Sequence, residues 1–285
     1  MDPTSTPAVD RALLTEALNN LRREAGLTQE QVAKEAGWSP AKLIRLESGK
    51  QVIGKADLKE LLGQYGLAST PHGTELIELA LRASRRGWPE QHRALLEPGY
   101  LRYIGLEAGA AVIRESHNLV ISGLLQTPEY AHAVVEGNPA VADPDTIVDV
   151  RLRRQEELRS RARPPQEIHI VDEAAIRRYV GGEGTGIMRR QLEYMIELAA
   201  QPRIDIRIVP YTAGYHPGLH EPVVILEYEV RLNPMLFKET SGRILHYTDP
   251  EVVSRCQSKF TRVLTSMCLS AEESKQMIAD SARTM

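Results

Sequence analysis

Apolar residues recur at helical spacing through the first third of the chain. Leu13, Leu14, Ala17, Leu18 and Leu21 follow Asp10, which predicts a helix closed by Gly26. Val32, Ala33 and Ala36 give a second helix one apolar face. Thr28 caps it, and Gln31 three residues later completes a T-x-x-Q capping box. Gly37 ends it, since glycine enters the left-handed region without steric cost. Ser39 then caps a third helix and Pro40 takes its first position, where a missing N–H costs nothing. On that helix Leu43 and Leu46 lie on one side, Ala41, Ile44, Arg45 and Ser48 roughly opposite, and Lys42 on a flank. A fourth helix, Asp57 to Tyr65, presents Leu58, Leu61 and Leu62 and stops at Gly66. Two helices joined by a short turn containing glycine form the helix-turn-helix pattern, placed here in a domain over residues 10–70.

Residues 1–9 read as a disordered polar tail. Ser69 to Gly73 reads as the first domain boundary, with a helical connector over 71–98 whose helix runs from Thr74 to Ser84. From residue 99 the texture changes. Tyr100 to Ile104 is strand-like or opens a helix, and residues 106–115 read as helical. Thr127 and Asp143 cap two further helices. Isoleucines alternate with polar residues at 168–170 and 204–208, and further strands fall at 222–229, 235–239 and 243–247, with Gly242 as a turn. Amphipathic helices occupy 187–200 and 250–267, and Ser270-x-x-Glu273 boxes the last one. An all-α helix-turn-helix domain followed by an α+β domain with a small mixed sheet is the predicted fold.

Composition narrows the function. The formal charge of −3 and pI near 6.3 exclude a general nucleic-acid coat. Locally the sign reverses: between residues 38 and 55, Lys42, Arg45, Lys50 and Lys55 stand against Glu47 alone, a net of +3. That favours binding at chosen DNA sites. The run RLRRQEELRSRAR at 151–163 holds six arginines and two glutamates; a solvated helix face is its expected role, with a second DNA or partner surface as the alternative. Cys256 and Cys268 lack C-x-x-C spacing, and no apolar run reaches eighteen residues, so a reduced cytoplasmic protein outside the membrane is expected. His216 and His220 lie four apart in GYHPGLH, but the prolines and glycines forbid a helix there, so no metal is expected. Asp172 beside Glu173 is better explained as an N-cap than as an acid pair. The glycine-rich run 181–186 follows a helix and lacks the lysine of a phosphate loop. No catalytic motif and no cofactor are expected.

The stretch LTQEQVAKEAGWSPAKLIRLESGK resembles the Xre/Cro–phage-repressor (lambda-repressor-like) family over roughly residues 10–66. The resemblance implies that Pro40, Ala41 and Arg45 occupy base-reading positions. It also implies that Gln29, Ser48 and Lys50 touch the phosphate backbone, with Lys42 flanking them, and that Arg22 pairs with Glu47 as a brace. Neither Pro40 nor Ala41 can make a bidentate bond, so specificity rests on Arg45, apolar contact with thymine methyls and DNA shape. From about Arg85 to Ala282, phrases such as YIGLEAGAAVIRESHNLVISGLLQTPEYAHAVV and IRIVPYTAGYHPGL resemble the long C-terminal domain of actinobacterial WhiJ-like and Scr-type antitoxin-like regulators. That resemblance implies a small BldB-like partner protein. Together these readings predict a nucleoid-associated homodimeric transcriptional regulator, a repressor on a pseudo-palindromic operator. The alternatives are an antitoxin-type protein that sequesters its partner, or a small-ligand sensor.

Overall fold

The computed structural model describes residues 5–137, 143–240 and 243–285. The expected turn at Gly242 and the first four residues of the expected tail lie outside them. The chain divides into two compact units, one running through Gln91 with Val230–Leu232, the other covering His92–Glu229 and Asn233–Met285.

Among the described residues the first unit holds five α-helices: α1 (Pro7–Glu24), α2 (Gln29–Glu35), α3 (Pro40–Glu47), α4 (Lys55–Gln64) and α5 (Pro71–Ala83). Leu14 and Leu18 of α1, Val32 and Ala33 of α2, Leu43 and Leu46 of α3 and Leu58, Leu61 and Leu62 of α4 meet in one core. Two expectations are corrected. The tail does not extend to residue 9, because the Thr6 hydroxyl caps α1 with Pro7 in its first turn, and Val9 is fully buried. Nor do residues 69–73 mark a boundary. Thr70 caps α5 and Pro71 opens it, while Leu76, Ala80 and Ala83 pack into the same core as α1. Asp10 of α1 pairs with Arg82 at 3.4 Å, and Arg11 reaches the Ala83 carbonyl and Glu90. The supposed connector helix is therefore a wall of the first unit.

The second unit is built on a six-stranded mixed sheet of order β3-β2-β1-β4-β5-β6. Its strands are β1 (Val112–His117), β2 (Gln166–Asp172), β3 (Ile204–Val209), β4 (Val223–Glu227), β5 (Met235–Thr240) and β6 (Arg243–Tyr247). The first three are parallel, with α7 (Pro128–Glu136) and α8 (Pro144–Arg159) between β1 and β2. The short α9 (Glu173–Arg177) and α10 (Ile187–Ala199) lie between β2 and β3. The rest pair antiparallel. Successive side chains alternate between the two faces. Ile168, Ile170, Ile225 and Leu236 meet Val253, Phe260 and Val263 of α11 (Pro250–Ser266). Val171, Ile204, Ile206 and Ile208 share a core with Met195 and Leu198 of α10 and Ile278 of α12 (Ala271–Thr284).

Residues 112–117 form a strand, not the expected end of a helix. The helix before them, α6 (Pro98–Glu107), stops ahead of Gly109. Strand β1 escapes a hydrophobic reading because two of its buried positions are polar: Glu115 is 1 % exposed and Ser116 5 %.

Gly73 carries a constraint of its own. A Cβ there would sit 2.0 Å from the Leu67 carbonyl oxygen, which also accepts from the Thr70 backbone and hydroxyl. Backbone cannot yield as a flexible side chain does. Gly73→Ala is expected to destabilise the first unit by about 1–3 kcal/mol, read in thermal melts. An unchanged melting temperature would mean that the turn into α5 is looser than described.

Candidate functional site

In the first unit α2 and α3 meet across a turn at Gly37, whose φ is +66°. Burial of Leu43 and Leu46 fixes the roll of α3, leaving Pro40, Ala41, Ile44 and Arg45 exposed. Lys50 is exposed just beyond, and Ser48 is the half-buried C-cap residue of α3. The expected base-reading residues therefore share an accessible surface. Ile44, which the helical spacing sets beside Ala41 and Arg45 but to which the resemblance assigns no contact, is an aliphatic side chain 48 % exposed in the middle of that surface. Gln51 was missed by sequence reasoning: its Oε1 accepts from Arg45 Nε at 3.2 Å, which restrains the arginine.

Behind this surface lies the Glu47 carboxylate, 3 % exposed. Arg22 Nε of α1 donates to Oε1 at 2.7 Å, and Gln29 Nε2 of α2 donates to Oε2 at 2.7 Å. Asn19 of α1 donates to the Glu47 carbonyl at 2.9 Å, and Arg22 also reaches the Leu27 carbonyl at 3.0 Å. One side chain on α3 thus ties three helices together. The hydrogen bond from Arg22 to Glu47 lifts the arginine pKa further, against the opposing effect of burial. Burial pushes the neighbouring Tyr65 phenol up to about 12.

Two of the expected phosphate contacts have other partners in this structure. Gln29 turns inward to Glu47. Lys42 donates to Asp57 at 2.7 Å with its ammonium 3.9 Å from the Trp38 ring centroid. A cation already matched by an internal carboxylate has less to gain from a phosphate than a solvated one.

The arginine run at 151–163 forms the expected solvated face only in part: Arg153 and Arg163 are exposed, but others turn inward. Arg154 is 6 % exposed, Arg159 donates to the Leu124 carbonyl and Tyr194, and Arg161 donates to the Ala110 carbonyl. Arg154 donates to Glu107 and, at 2.7 Å, to the Tyr103 hydroxyl, which lies between Glu107 and Glu115. Glu115 in turn meets Ser122, His117 and His169, and His169 Nε2 faces Glu167 at 3.1 Å. Burial pushes Glu107 up, opposed by Arg154. Burial also acts to raise Glu115, but the imidazoles of His117 and His169 beside it overcome that and hold the carboxyl well below the ordinary range. For His169 burial lowers the pKa, yet Glu115 and Glu167 raise it to about 9.

The histidines of GYHPGLH part company. His216 turns inward to Asp172 at 3.1 Å, while the exposed His220 contacts the Tyr215 hydroxyl at 2.6 Å. Among the described residues no group of His, Cys, Asp or Glu is arranged to hold a metal. Asp172 caps α9 as expected. Both cysteines are free, and burial pushes the Cys268 thiol up to about 12, away from reactive thiolate. No described helix is long and apolar enough to cross a membrane.

Two outcomes follow. Glu47→Ala strands Arg22 and frees Gln29, so the first unit is expected to lose roughly 3–5 kcal/mol, read as an earlier melting transition. A change in DNA affinity with no change in melting would instead make Glu47 a contact residue. For His169 the folded pKa near 9 exceeds the ordinary 6.5. Its stabilisation is fully present below pH 6.5 and is lost as pH rises through 9. Denaturant titrations from pH 6.5 to 9.5 should show the second unit weakening across that window, and a flat profile would mean the imidazole is neutral when folded.

Residues 13–72 match the helix-turn-helix domain family, and residues 100–280 match a domain of unknown function, DUF5753. Neither the curated proteins nor the solved structures hold a match to the chain. The helix-turn-helix match and the exposed face of α3 make this a DNA-binding regulator. The chain belongs to the DUF5753 family and carries a helix-turn-helix domain ahead of the domain that defines it.

Proposed function

We propose that the protein is a sequence-specific transcriptional repressor that acts as a homodimer on a pseudo-palindromic operator. The observation that carries this reading is the exposed surface of α3. Pro40, Ala41, Ile44 and Arg45 are accessible together, Lys50 adds positive charge beside them, and the Glu47 brace holds the helix against α1 and α2. The short residues let α3 lie close to base edges, with Ile44 and Ala41 against thymine methyls and Arg45 as the one long donor. Lys50 and the Ser48 end of α3 contact phosphate, while Lys42 and Gln29 reach it only by exchanging Asp57 and Glu47 for it. A single reader of this size buries little DNA surface, so two linked readers supply the affinity.

The second unit receives the regulating signal, a small BldB-like partner protein. This part rests on the resemblance of residues 85–282 to actinobacterial WhiJ-like regulators. Exposed apolar side chains support it: Leu119 and Val120 follow Asn118, which donates to the carbonyl of the exposed Leu219 at 2.8 Å, and Tyr215 is 70 % exposed.

Selecting bound duplexes from a random pool would give the operator and its symmetry. Against that operator Arg45→Ala is expected to weaken binding by about 1–3 kcal/mol and relax one position in each half-site. Equal losses on operator and random DNA would reduce Arg45 to a phosphate contact. A selected site without two related half-sites would remove the dimeric reading.

A further inference from the structure

On the sheet face opposite α11, a cleft of about 270 Å³ opens between α6, α7 and α8 and strands β1, β4 and β5. Register places Glu115, Val224 and Phe237 side by side across its floor. Tyr103 packs on Phe237 with ring centroids 5.2 Å apart, and the Arg154 guanidinium lies 4.9 Å from the Tyr103 ring centroid. The walls are apolar, from Tyr100, Val120, Val134, Ile147 and Ile244.

The charges in this cleft are not equally matched. Arg154 is met by Glu107 and Glu115, and Lys238 by Glu221. Glu239 sits at the rim, where it is exposed and screened by water. Arg151 differs from all of these. It is half-buried, and its guanidinium donates to the neutral Gln126 Oε1 at 2.6 Å, with no carboxylate at ion-pair distance among the described residues. Gln126 is itself clamped, since its Nε2 donates to the Ile121 carbonyl at 2.7 Å. The guanidinium is thus pinned at the cleft with most of its donors unspent, the condition a carboxylate satisfies with a bidentate pair.

We propose that this cleft binds a small organic carboxylate with an apolar body, its acid group paired with Arg151 and its body against the Tyr100, Val134 and Ile147 walls. A cleft of about 270 Å³ with apolar walls suits an aromatic or short-chain acid. The charge on Arg151 selects acids over amides of the same shape. The buried network beneath it gives the floor a fixed form before any ligand arrives, which lowers the ordering cost of binding.

The proposal is tested by calorimetry and thermal shift on the full-length chain with phenylacetate, indole-3-acetate and hexanoate, and with phenylacetamide and phenethylamine as neutral and cationic counterparts. At least one acid is expected to bind saturably, about tenfold or more tighter than its amide or amine counterpart. Arg151→Gln should cost that acid about tenfold in affinity, and Val120→Trp, at the exposed mouth, should block it without disturbing the floor. Absence of saturable binding by all three acids overturns the proposal. So does equal binding of phenylacetamide, preference for phenethylamine, or binding that survives both substitutions. DNA binding is not the readout, so failure here leaves the regulator reading intact, and failure of that reading leaves the cleft standing.

Discussion

A carboxylate removed from water must be met by donors that cannot drift away, and both units of this protein are arranged around that requirement. In the first, Glu47 is buried between helices that have few other polar links, and its two oxygens face α1 and α2 separately. The angle between α2 and α3 is set at that carboxylate as much as by the leucines beneath it. In the second, Glu107, Glu115 and Glu167 occupy positions where an ordinary sheet protein keeps aliphatic side chains, and Arg154 and His169 are held among them. Such groups contribute little net stability against an apolar core of equal volume. Their effect is geometric: each fixes the orientation of its neighbours.

The helical unit was legible because its signals are local. Thr28 with Gln31, Gly37 and Ser39 with Pro40 act within a few residues, and the structure places the caps of α2 and α3 at those positions. The same chemistry misled where it was given the wrong meaning. Thr70-Pro71 resembles a linker in composition, yet it is a cap followed by a first-turn proline, as Ser39-Pro40 is. What separates the two cases is Leu76 and Ala80 meeting α1, a long-range contact that no local pattern reports.

In the α+β unit the strands with alternating isoleucines could be read, and β1 could not. Its inward positions carry Glu115 and His117, so the period-two signal is inverted by the residues that matter most to the site. The arginines of α8 posed the converse problem. A run of positive charge normally faces water, but Arg154 and Arg159 turn toward carboxylates and carbonyls supplied by α6, β2 and the loop after β1. Buried charge can be recognised in sequence only when its partner is recognised too, and here the partner of Arg154 lies 47 residues away. On the recognition helix, the spacing put Ile44 on the outward side, but its role could not be read from that alone. An exposed isoleucine is unremarkable in composition and becomes informative only beside Ala41 and Arg45.

The fifth helix bears on how such a reader is transplanted. Because α5 covers the apolar flank of α1 and anchors Arg11 and Asp10, a chimera joined at the Ser69–Gly73 stretch would carry away a reader with one side of its core uncovered. The graftable module runs through Glu90, whose carboxylate still holds Arg11 at 2.7 Å. Insertions between this reader and a foreign effector domain therefore belong after Gln91, where the continuous stretch of the first unit ends.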